Sequence, residues 1–387
     1  MAAHAGPKIE NDGLVFAYDM YNTDKSWKGA PTTNLVASTL VSGHVNIGVS
    51  YVGIENGWEK YALSGTWAAA GYPYSLAIGA VSFTGGVTYT TSCLIKTNVP
   101  NKFDYFCTGM NYVNQPVNSA GTSFSTTRSN GDIFVGRQGF EYTSTTGQLG
   151  YLLSQPLIGG VTFDSGTDFV WIKEVQIEEQ PFPTRYTSGT RSTTQAVLDL
   201  SKNNYVATAS SLTYAADDTF SFASGSADYI NIPHASSPVT NLTYEVVINP
   251  TTLPAVETYM SVWQKSINWN GTTGISMQFI YGNFGFSFGE AWGGSVSYPQ
   301  SNFTTGNYYH IVGTVTGNGG TATLYINGIQ VDTDVAGTPT DTSDLTVGKG
   351  NGGSFNGSMP VFRMYDRCLE STEVAQNFNA IRGRFGI

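Results

Sequence analysis

Four aromatic side chains in the C-terminal half of the chain are suited to binding sugars. The faces of indole and phenol rings pack against the CH groups of a pyranose, and neighbouring planar polar groups bond its hydroxyls. Each of the four lies close to Gly, Asn or Ser, in sequence typical of loops. We therefore predict that a glycan is bound by Trp263, Trp269, Trp292 and Tyr298. The alternative left open is that one or more of these rings is buried in the hydrophobic core.

A second group of aromatic residues has the same local sequence in the N-terminal half. Trp58, Trp67 and Tyr72 each lie one or two residues after a glycine. These positions are again typical of loops that present a ring to solvent.

The carboxylates do not form a recognisable hydrolytic site. Glycoside hydrolysis needs two carboxyl groups held on either side of the bond to be cleaved. Glu174, Glu178 and Glu179 cluster, and the spacing of Glu174 and Glu178 predicts one shared face at a solvated strand edge. The chain contains no E-x-D-x-x-E or HExxH motif. We therefore predict no catalytic residues and a protein that is not an enzyme.

Residues 348–353 fit the pattern GxGxxG, which in dinucleotide-binding proteins opens a helix. Here the segment continues into Ser354-Phe355-Asn356-Gly357, which has the character of a strand. No helix N-terminus would then be available to hold a phosphate. We predict no nucleotide cofactor.

Aspartate residues concentrate in two short regions, and carboxylate oxygens are ligands that Ca²⁺ prefers. We predict no cofactor, and a Ca²⁺ site without assigned ligands is the alternative left open. The aspartates concerned are Asp217, Asp218, Asp228, Asp332, Asp334, Asp341 and Asp344.

Composition favours an all-β protein with few charges. Only 12% of the 387 residues are charged, 45 are glycine, and the net charge is −10. Nucleic acid and anionic lipid require a basic surface, so we expect neither as a partner. No apolar run is long enough for a membrane helix, and the N-terminus has no apolar segment typical of a secretion signal. We therefore expect synthesis in the cytoplasm without export.

Alternating polar and apolar residues predict the strands of a sandwich. Phe284, Phe286 and Phe288 should share the buried face of one strand. Residues 321–326 alternate in the same way and end at Asn327-Gly328, a strong signal for a type I′ hairpin turn.

The segments Tyr308–Val312, Thr321–Val331 and Gly353–Gly357 together resemble laminin-G-like, concanavalin A-like jelly rolls. Val361–Arg367 resembles the closing strand of that family, and Leu369–Val374 should open a short helix capped by Ser371 or Thr372. The resemblance implies a fold used for binding and packing more often than for catalysis.

A second domain is expected to interrupt the first. Gly13–Asp19 and Asp199–Asn204 resemble the two halves of the start of phage-type laminin-G-like domains, here widely separated. Trp171–Glu179 with Pro183–Tyr186 resembles the last strand of galactose-binding-like, carbohydrate-module-like jelly rolls. The alternative is that residues 13–20 form an independent N-terminal arm. The expected architecture is all-β with minimal helix: an arm at 1–12, laminin-G-like jelly roll at 13–33 and 187–387, and an inserted jelly roll at 34–186.

These resemblances imply a structural protein of a tailed-bacteriophage virion. We expect a non-enzymatic surface protein, a head decoration or adaptor, that forms homo-oligomers, contacts other capsid or tail proteins and binds host glycan weakly. The alternative is a tail-fibre receptor-binding protein that recognises host polysaccharide. A glycan-cleaving enzyme ranks last.

Overall fold

The computed structural model divides the chain into two compact units. The first, the C-terminal unit, comprises Met1–Ala30 and Ser192–Ile387, and the second, the inserted unit, comprises Pro31–Arg191. These limits lie within a few residues of the domain boundaries expected from the sequence. The structure describes residues 8–22, 25–26, 28–36, 48–67, 74–81, 83–110, 117–142, 148–156, 161–214, 219–223, 227–233, 241–265, 274–289, 296–340, 343–350 and 353–387.

One sheet of the C-terminal unit begins with the first strand of the chain. Leu14–Asp19 pairs antiparallel with Gly357–Tyr365, so that Tyr18 lies opposite Phe362. In spatial order its six strands are Leu14–Asp19, Gly357–Tyr365, Leu242–Pro250, Tyr309–Val315, Thr321–Ile326 and Ile329–Val335. The strand at the start of the chain is therefore part of this sandwich.

The hairpin predicted at Asn327-Gly328 is confirmed. Ile326 pairs with Ile329, and Asn327 and Gly328 have φ values of 51° and 76°, as a type I′ turn requires. The Asn327 side-chain oxygen also accepts a 2.9 Å hydrogen bond from the backbone N–H of His310.

The second sheet of the C-terminal unit faces the first across one hydrophobic core. Phe284, Phe286 and Phe288 are each 0% exposed within this core, which confirms the face predicted for them. The path through the sheet runs Thr208–Ser210, Tyr229–Ile232, Leu345–Val347, Tyr259–Lys265, Ile275–Ile280, Asn283–Phe288 and Val296–Pro299. Lys349–Gly350 and Gly353–Ser354 complete this nine-stranded sheet, and Thr213–Tyr214 pairs separately with Phe220–Ser221.

The C-terminal helix, Ser371–Phe385, differs from the short helix expected. Its N-cap is Glu370, which forms a capping box with Glu373, instead of Ser371 or Thr372. Val374, Ile381 and Phe385 are buried. Ile381 lies about two turns and Phe385 about three turns after Val374, so the three side chains form one apolar stripe along the helix. None of the helices in the described residues is long and apolar enough to cross a membrane.

Part of the expected N-terminal arm contacts this helix. The backbone N–H of Glu10 donates a 2.7 Å hydrogen bond to the Asn377 side chain, and Gln376 donates one to the backbone oxygen of Lys8. Residues 1–7 lie outside the described residues.

The inserted unit is also built from antiparallel strands. The path through its seven-stranded sheet is Val161–Phe163, Trp58–Trp67, Phe169–Glu178, Thr88–Thr97, Ile133–Tyr142 and Val117–Thr127, with Gly48–Glu55 pairing to Trp58–Trp67. Tyr74–Val81, Gln148–Pro156 and Phe103–Met110 form a three-stranded sheet, and Thr32–Thr33 pairs with Thr190–Arg191. The remaining short helices of the described chain are Pro100–Lys102, Thr193–Ala196 and Gln300–Asn302.

The acidic strand of the inserted unit is not a solvated edge, contrary to expectation. Phe169–Glu178 lies between Trp58–Trp67 and Thr88–Thr97. Glu178 is 0% exposed and accepts hydrogen bonds from the backbone N–H and the hydroxyl of Thr184. These hydrogen bonds give Glu178 a structural role.

The all-β class is confirmed, while the galactose-binding-like assignment of this unit stays a prediction.

Candidate glycan-binding pocket

A row of polar side chains crosses the outer face of the nine-stranded sheet. Because side chains alternate between the faces of a strand, residues opposite one another in register share a face. Pairing aligns Asn231 with Thr346 and Thr346 with Gln264, and Gln264 with Ser276 and Ser276 with Ser287. We call these five residues the polar row.

The adjacent row points into the core and includes Trp263. Trp263 lies opposite Val347 and Met277, is 0% exposed, and stacks on Tyr244 with ring centroids 4.1 Å apart. No ring face is left for a sugar, so the prediction for Trp263 is wrong. Its neighbour Gln264 points away from the core, and only 5% of it is exposed.

A pocket of about 340 Å³ opens over one end of the polar row. Its lining combines two amides, one carboxylate, one ammonium group, hydroxyl groups and an aromatic ring. The lining residues are Tyr229, Asn231, Gln264, Ser343, Asp344, Thr346, Lys349 and Gly350.

Hydrogen bonds attach the loop on one side of the pocket to the sheet. The Asn231 side-chain N–H donates to Asp344 Oδ2 at 3.1 Å, and Lys265 Nζ donates to the backbone oxygen of Ser343 at 3.0 Å. Thr346 donates from its hydroxyl to the backbone oxygen of Lys349 at 2.9 Å. The polar groups of the pocket are therefore held before a ligand arrives.

Gly350 sets the depth of the pocket beside Gln264. A Cβ at this position would lie 2.3 Å from both Gln264 Oε1 and Ser261 Oγ. Only glycine allows this approach of the backbone, which keeps the Gln264 amide in the lining. Across the pocket, Lys349 Nζ lies 5.3 Å from the Tyr229 ring centroid.

The other predicted aromatic residues have different outcomes. Trp269 and Trp292 lie outside the described residues. The strands on either side of them are described: Lys265 pairs with Ile275, which pairs with Phe288. Tyr298 is half-buried with its ring 6.0 Å from Phe303, and its role in binding stays a prediction.

The aspartates considered for Ca²⁺ have structural partners where they are described. Asp228 accepts a hydrogen bond from the backbone N–H of Ala223, and Asp332 accepts one from that of Ser297. Asp217, Asp218 and Asp341 lie outside the described residues. Within the described part, no three His, Cys, Asp or Glu side chains are placed to hold a metal ion. Calcium binding stays an untested prediction.

A second polar cluster is closed to solvent beneath the C-terminal helix. Glu245 is 0% exposed and bonds to Arg363, to His310 Nε2 at 3.0 Å and to the Asn377 amide at 2.8 Å. Burial alone would raise the pKa of Glu245, but the charge of Arg363 and the bonds from His310 and Asn377 lower it to about 2. This cluster joins the helix to the six-stranded sheet and has no opening for a substrate.

Comparison with solved structures gives distant similarities. The botulinum neurotoxin serotype G binding domain is 14% identical with a TM-score of 0.40, and 48% of each chain is covered. A botulinum neurotoxin type C structure, described with two ganglioside molecules, is 14% identical with a TM-score of 0.38, covering 48% of this chain and 49% of that one. The chain thus spans about half the length of these structures.

Sequence comparison assigns the fold of the unit that holds the pocket. No curated protein matches the chain. Residues 224–375 match a family described as the concanavalin A-like lectin/glucanases superfamily. These residues include most of both sheets of the C-terminal unit and the whole lining of the pocket. The C-terminal unit is therefore a concanavalin A-like jelly roll.

Proposed function

We propose that the pocket on the nine-stranded sheet binds a neutral saccharide and that the protein is a glycan-recognition protein. The observation that supports this most is the placement of Asn231, Gln264 and Asp344 around one opening. Amides both donate and accept hydrogen bonds and a carboxylate accepts several, which suits the adjacent hydroxyls of a sugar.

The lining also offers an apolar contact and a balanced charge. The Tyr229 ring gives a surface for the CH groups of a pyranose. Asp344 and Lys349 contribute opposite charges, so the described lining has no formal net charge. A neutral sugar is consequently favoured over a charged one.

We propose that the sugar is bound without being cleaved. Cleavage of a glycosidic bond needs two carboxyl groups on opposite sides of the bond. Among the described lining residues, Asp344 is the carboxylate, and its Oδ2 already accepts a bond from Asn231. A described lining with one carboxylate supports binding of the sugar without cleavage of its glycosidic bond.

The biological setting that we propose is the surface of a tailed-bacteriophage particle. The resemblance of Gly13–Asp19 and Asp199–Asn204 to phage-type domains supports a head decoration or adaptor protein that is assembled with other virion proteins. The second candidate is a tail-fibre protein that recognises host polysaccharide. Electron microscopy of labelled particles separates the two, since the label marks either the head or the tail.

Binding is tested with the purified chain on an array of neutral glycans, followed by calorimetry with the best oligosaccharide. Asn231→Ala and Gln264→Ala should each weaken binding about tenfold, because each removes side-chain hydrogen bonds to the sugar hydroxyls. Asn283→Ala is the matched control, since this amide lies at the other end of the same sheet. Equal affinity of all three variants and the unaltered chain would rule out the pocket.

A further inference from the structure

The inserted unit has a solvent-facing surface on which lysines and aromatic rings alternate. Lys60, Trp171 and Lys96 lie directly opposite one another on three adjacent strands. The flanking residues Val170 and Ile172 point into the core of the unit. The strand period therefore places the lysines and rings together on the outer face. We call this surface the lysine–aromatic face: Lys60, Lys96, Phe169, Trp171 and Lys173, together with Trp58 beneath the lysines. Trp58 is 6% exposed and belongs to the strand Trp58–Trp67, so the solvent-exposed loop position expected for it is wrong.

Cation–π contacts position the ammonium groups of the face. Lys60 Nζ lies 4.1 Å from the Phe169 ring centroid and 5.2 Å from that of Trp171. Lys96 Nζ lies 4.6 Å from the Trp58 ring and 5.4 Å from that of Trp171. Attraction to the rings holds these flexible side chains close to the sheet, so less entropy is lost when they bind a ligand.

The charges on the face are only partly compensated. Lys60 forms a 2.9 Å ion pair with Glu55, and Lys173 lies 3.6 Å from Glu174. Lys96 has no carboxylate within ion-pair distance among the described residues. It lies opposite Trp171 on the adjacent strand. One ammonium group is thus left for an anion beside aromatic rings.

The strand is distorted where the face ends. Glu174 has a φ of 56°, and the register between Phe169–Glu178 and Thr88–Thr97 shifts between Lys173 and Gln176. A bulge of this kind redirects side chains and often lies beside a binding site. Here it lies next to Lys173, whose Nζ is 3.6 Å from the Glu174 carboxylate.

We infer that the lysine–aromatic face binds a uronic acid residue of an acidic saccharide, separately from the pocket in the C-terminal unit. The Lys96 ammonium would pair with the single carboxylate, and the exposed part of the Trp171 ring would contact the sugar ring. A densely charged polyanion is disfavoured, because the chain has a net charge of −10. This inference does not depend on the pocket.

The test measures binding of short oligouronates, made of galacturonate, glucuronate or mannuronate, by calorimetry with the full chain. Their methyl esters are the matched ligands, since they keep the ring and lose the charge. We expect the esters to bind at least about tenfold more weakly than the acids. Lys96→Gln should cause a similar loss, and Trp171→Phe a smaller one. Lys202→Gln changes an exposed lysine of the other unit and should have no effect.

The two sites can be told apart by the same measurement. Asn231→Ala should leave oligouronate binding unchanged, and Lys96→Gln should leave neutral-sugar binding unchanged. The inference is overturned if none of the three oligouronates binds, if acid and ester bind equally, or if Lys96→Gln binds as well as the unaltered chain. Thermal unfolding of each variant shows that it is folded before binding is compared.

Discussion

The side-chain amide of Asn231 donates a 3.1 Å hydrogen bond to the carboxylate of Asp344. Asn231 belongs to a strand of the nine-stranded sheet, whereas Asp344 precedes the neighbouring strand Leu345–Val347. This contact joins the rigid sheet to the loop and brings an amide and a carboxylate to one opening. It is the clearest sign that the pocket is organised for a polar ligand.

Asp344→Asn should reduce glycan affinity while leaving the fold intact. The amide can still accept from Asn231, but a neutral acceptor bonds sugar hydroxyls about half as strongly as a charged one. We expect a loss of about three- to tenfold in calorimetry. Asp344 is exposed, so the melting temperature should stay the same. An unchanged affinity would mean that the carboxylate does not contact the ligand.

Gly350→Ala should obstruct the pocket from its floor. The new methyl group would lie 2.3 Å from Gln264 Oε1, so the amide must move away from its position in the lining. Binding should fall about tenfold or more, since a displaced polar group loses its bonds to the ligand. Gly383→Ala in the C-terminal helix, where a Cβ meets nothing within 4 Å, is the control and should bind normally. Normal binding by both variants would contradict this role of Gly350.

Asn327 should contribute to stability in two separable ways. Asn327→Ala loses the bond to His310 and forces alanine to a φ of 51°, at a total cost of about 2 kcal/mol. Asn327→Gly loses the bond but accepts this φ, so its cost should be about 1 kcal/mol. Urea unfolding compares the two variants. Equal costs would show that the backbone conformation is not under strain.

Glu245 should link the stability of the protein to acidic pH. Its pKa is lowered from 4.5 to about 2 in the folded chain, chiefly by Arg363 against the opposing effect of burial. The unfolded chain therefore takes up a proton first as the pH falls. The stabilising contribution is complete above about pH 4.5 and is lost progressively toward pH 2. Urea unfolding measured over this range should show the decline.

Glu245→Gln should make the free energy of unfolding less dependent on pH between about 4.5 and 2. It should also destabilise the fold by about 3–5 kcal/mol, because it leaves the Arg363 charge buried without a partner. Glu55→Gln removes an exposed carboxylate that pairs with Lys60 and is the matched control, with little effect expected. An unchanged pH profile in Glu245→Gln would assign the acid sensitivity to other groups.

The strand positions could be predicted from the sequence because side chains alternate in a regular strand, as Phe284, Phe286 and Phe288 show. Two of the residues predicted wrongly, Trp263 and Glu178, lie in strands that contain a β-bulge. A register shift between Ser261 and Trp263 helps to turn Trp263 inward and Gln264 outward. Another shift after Lys173 separates the environments of Glu174 and Glu178. A bulge depends on the neighbouring strand, so these residues alone could not reveal it.

The pocket itself could not be predicted because its residues come from distant parts of the chain. Asn231, Gln264 and Thr346 become neighbours only through the strand order. A weak local signal existed in Tyr229-Ile230-Asn231-Ile232, where an amide alternates with buried isoleucines. Trp269 and Trp292 remain predictions, and Trp269→Ala or Trp292→Ala should weaken glycan binding if either ring contacts the sugar.

A crystal structure with the neutral oligosaccharide that binds best on the array tests the central claim most directly. The account predicts a sugar ring in the pocket, with hydroxyls within hydrogen-bond distance of Asn231, Gln264 and Asp344. A sugar bound elsewhere on the C-terminal unit, with this pocket filled by solvent alone, would contradict it.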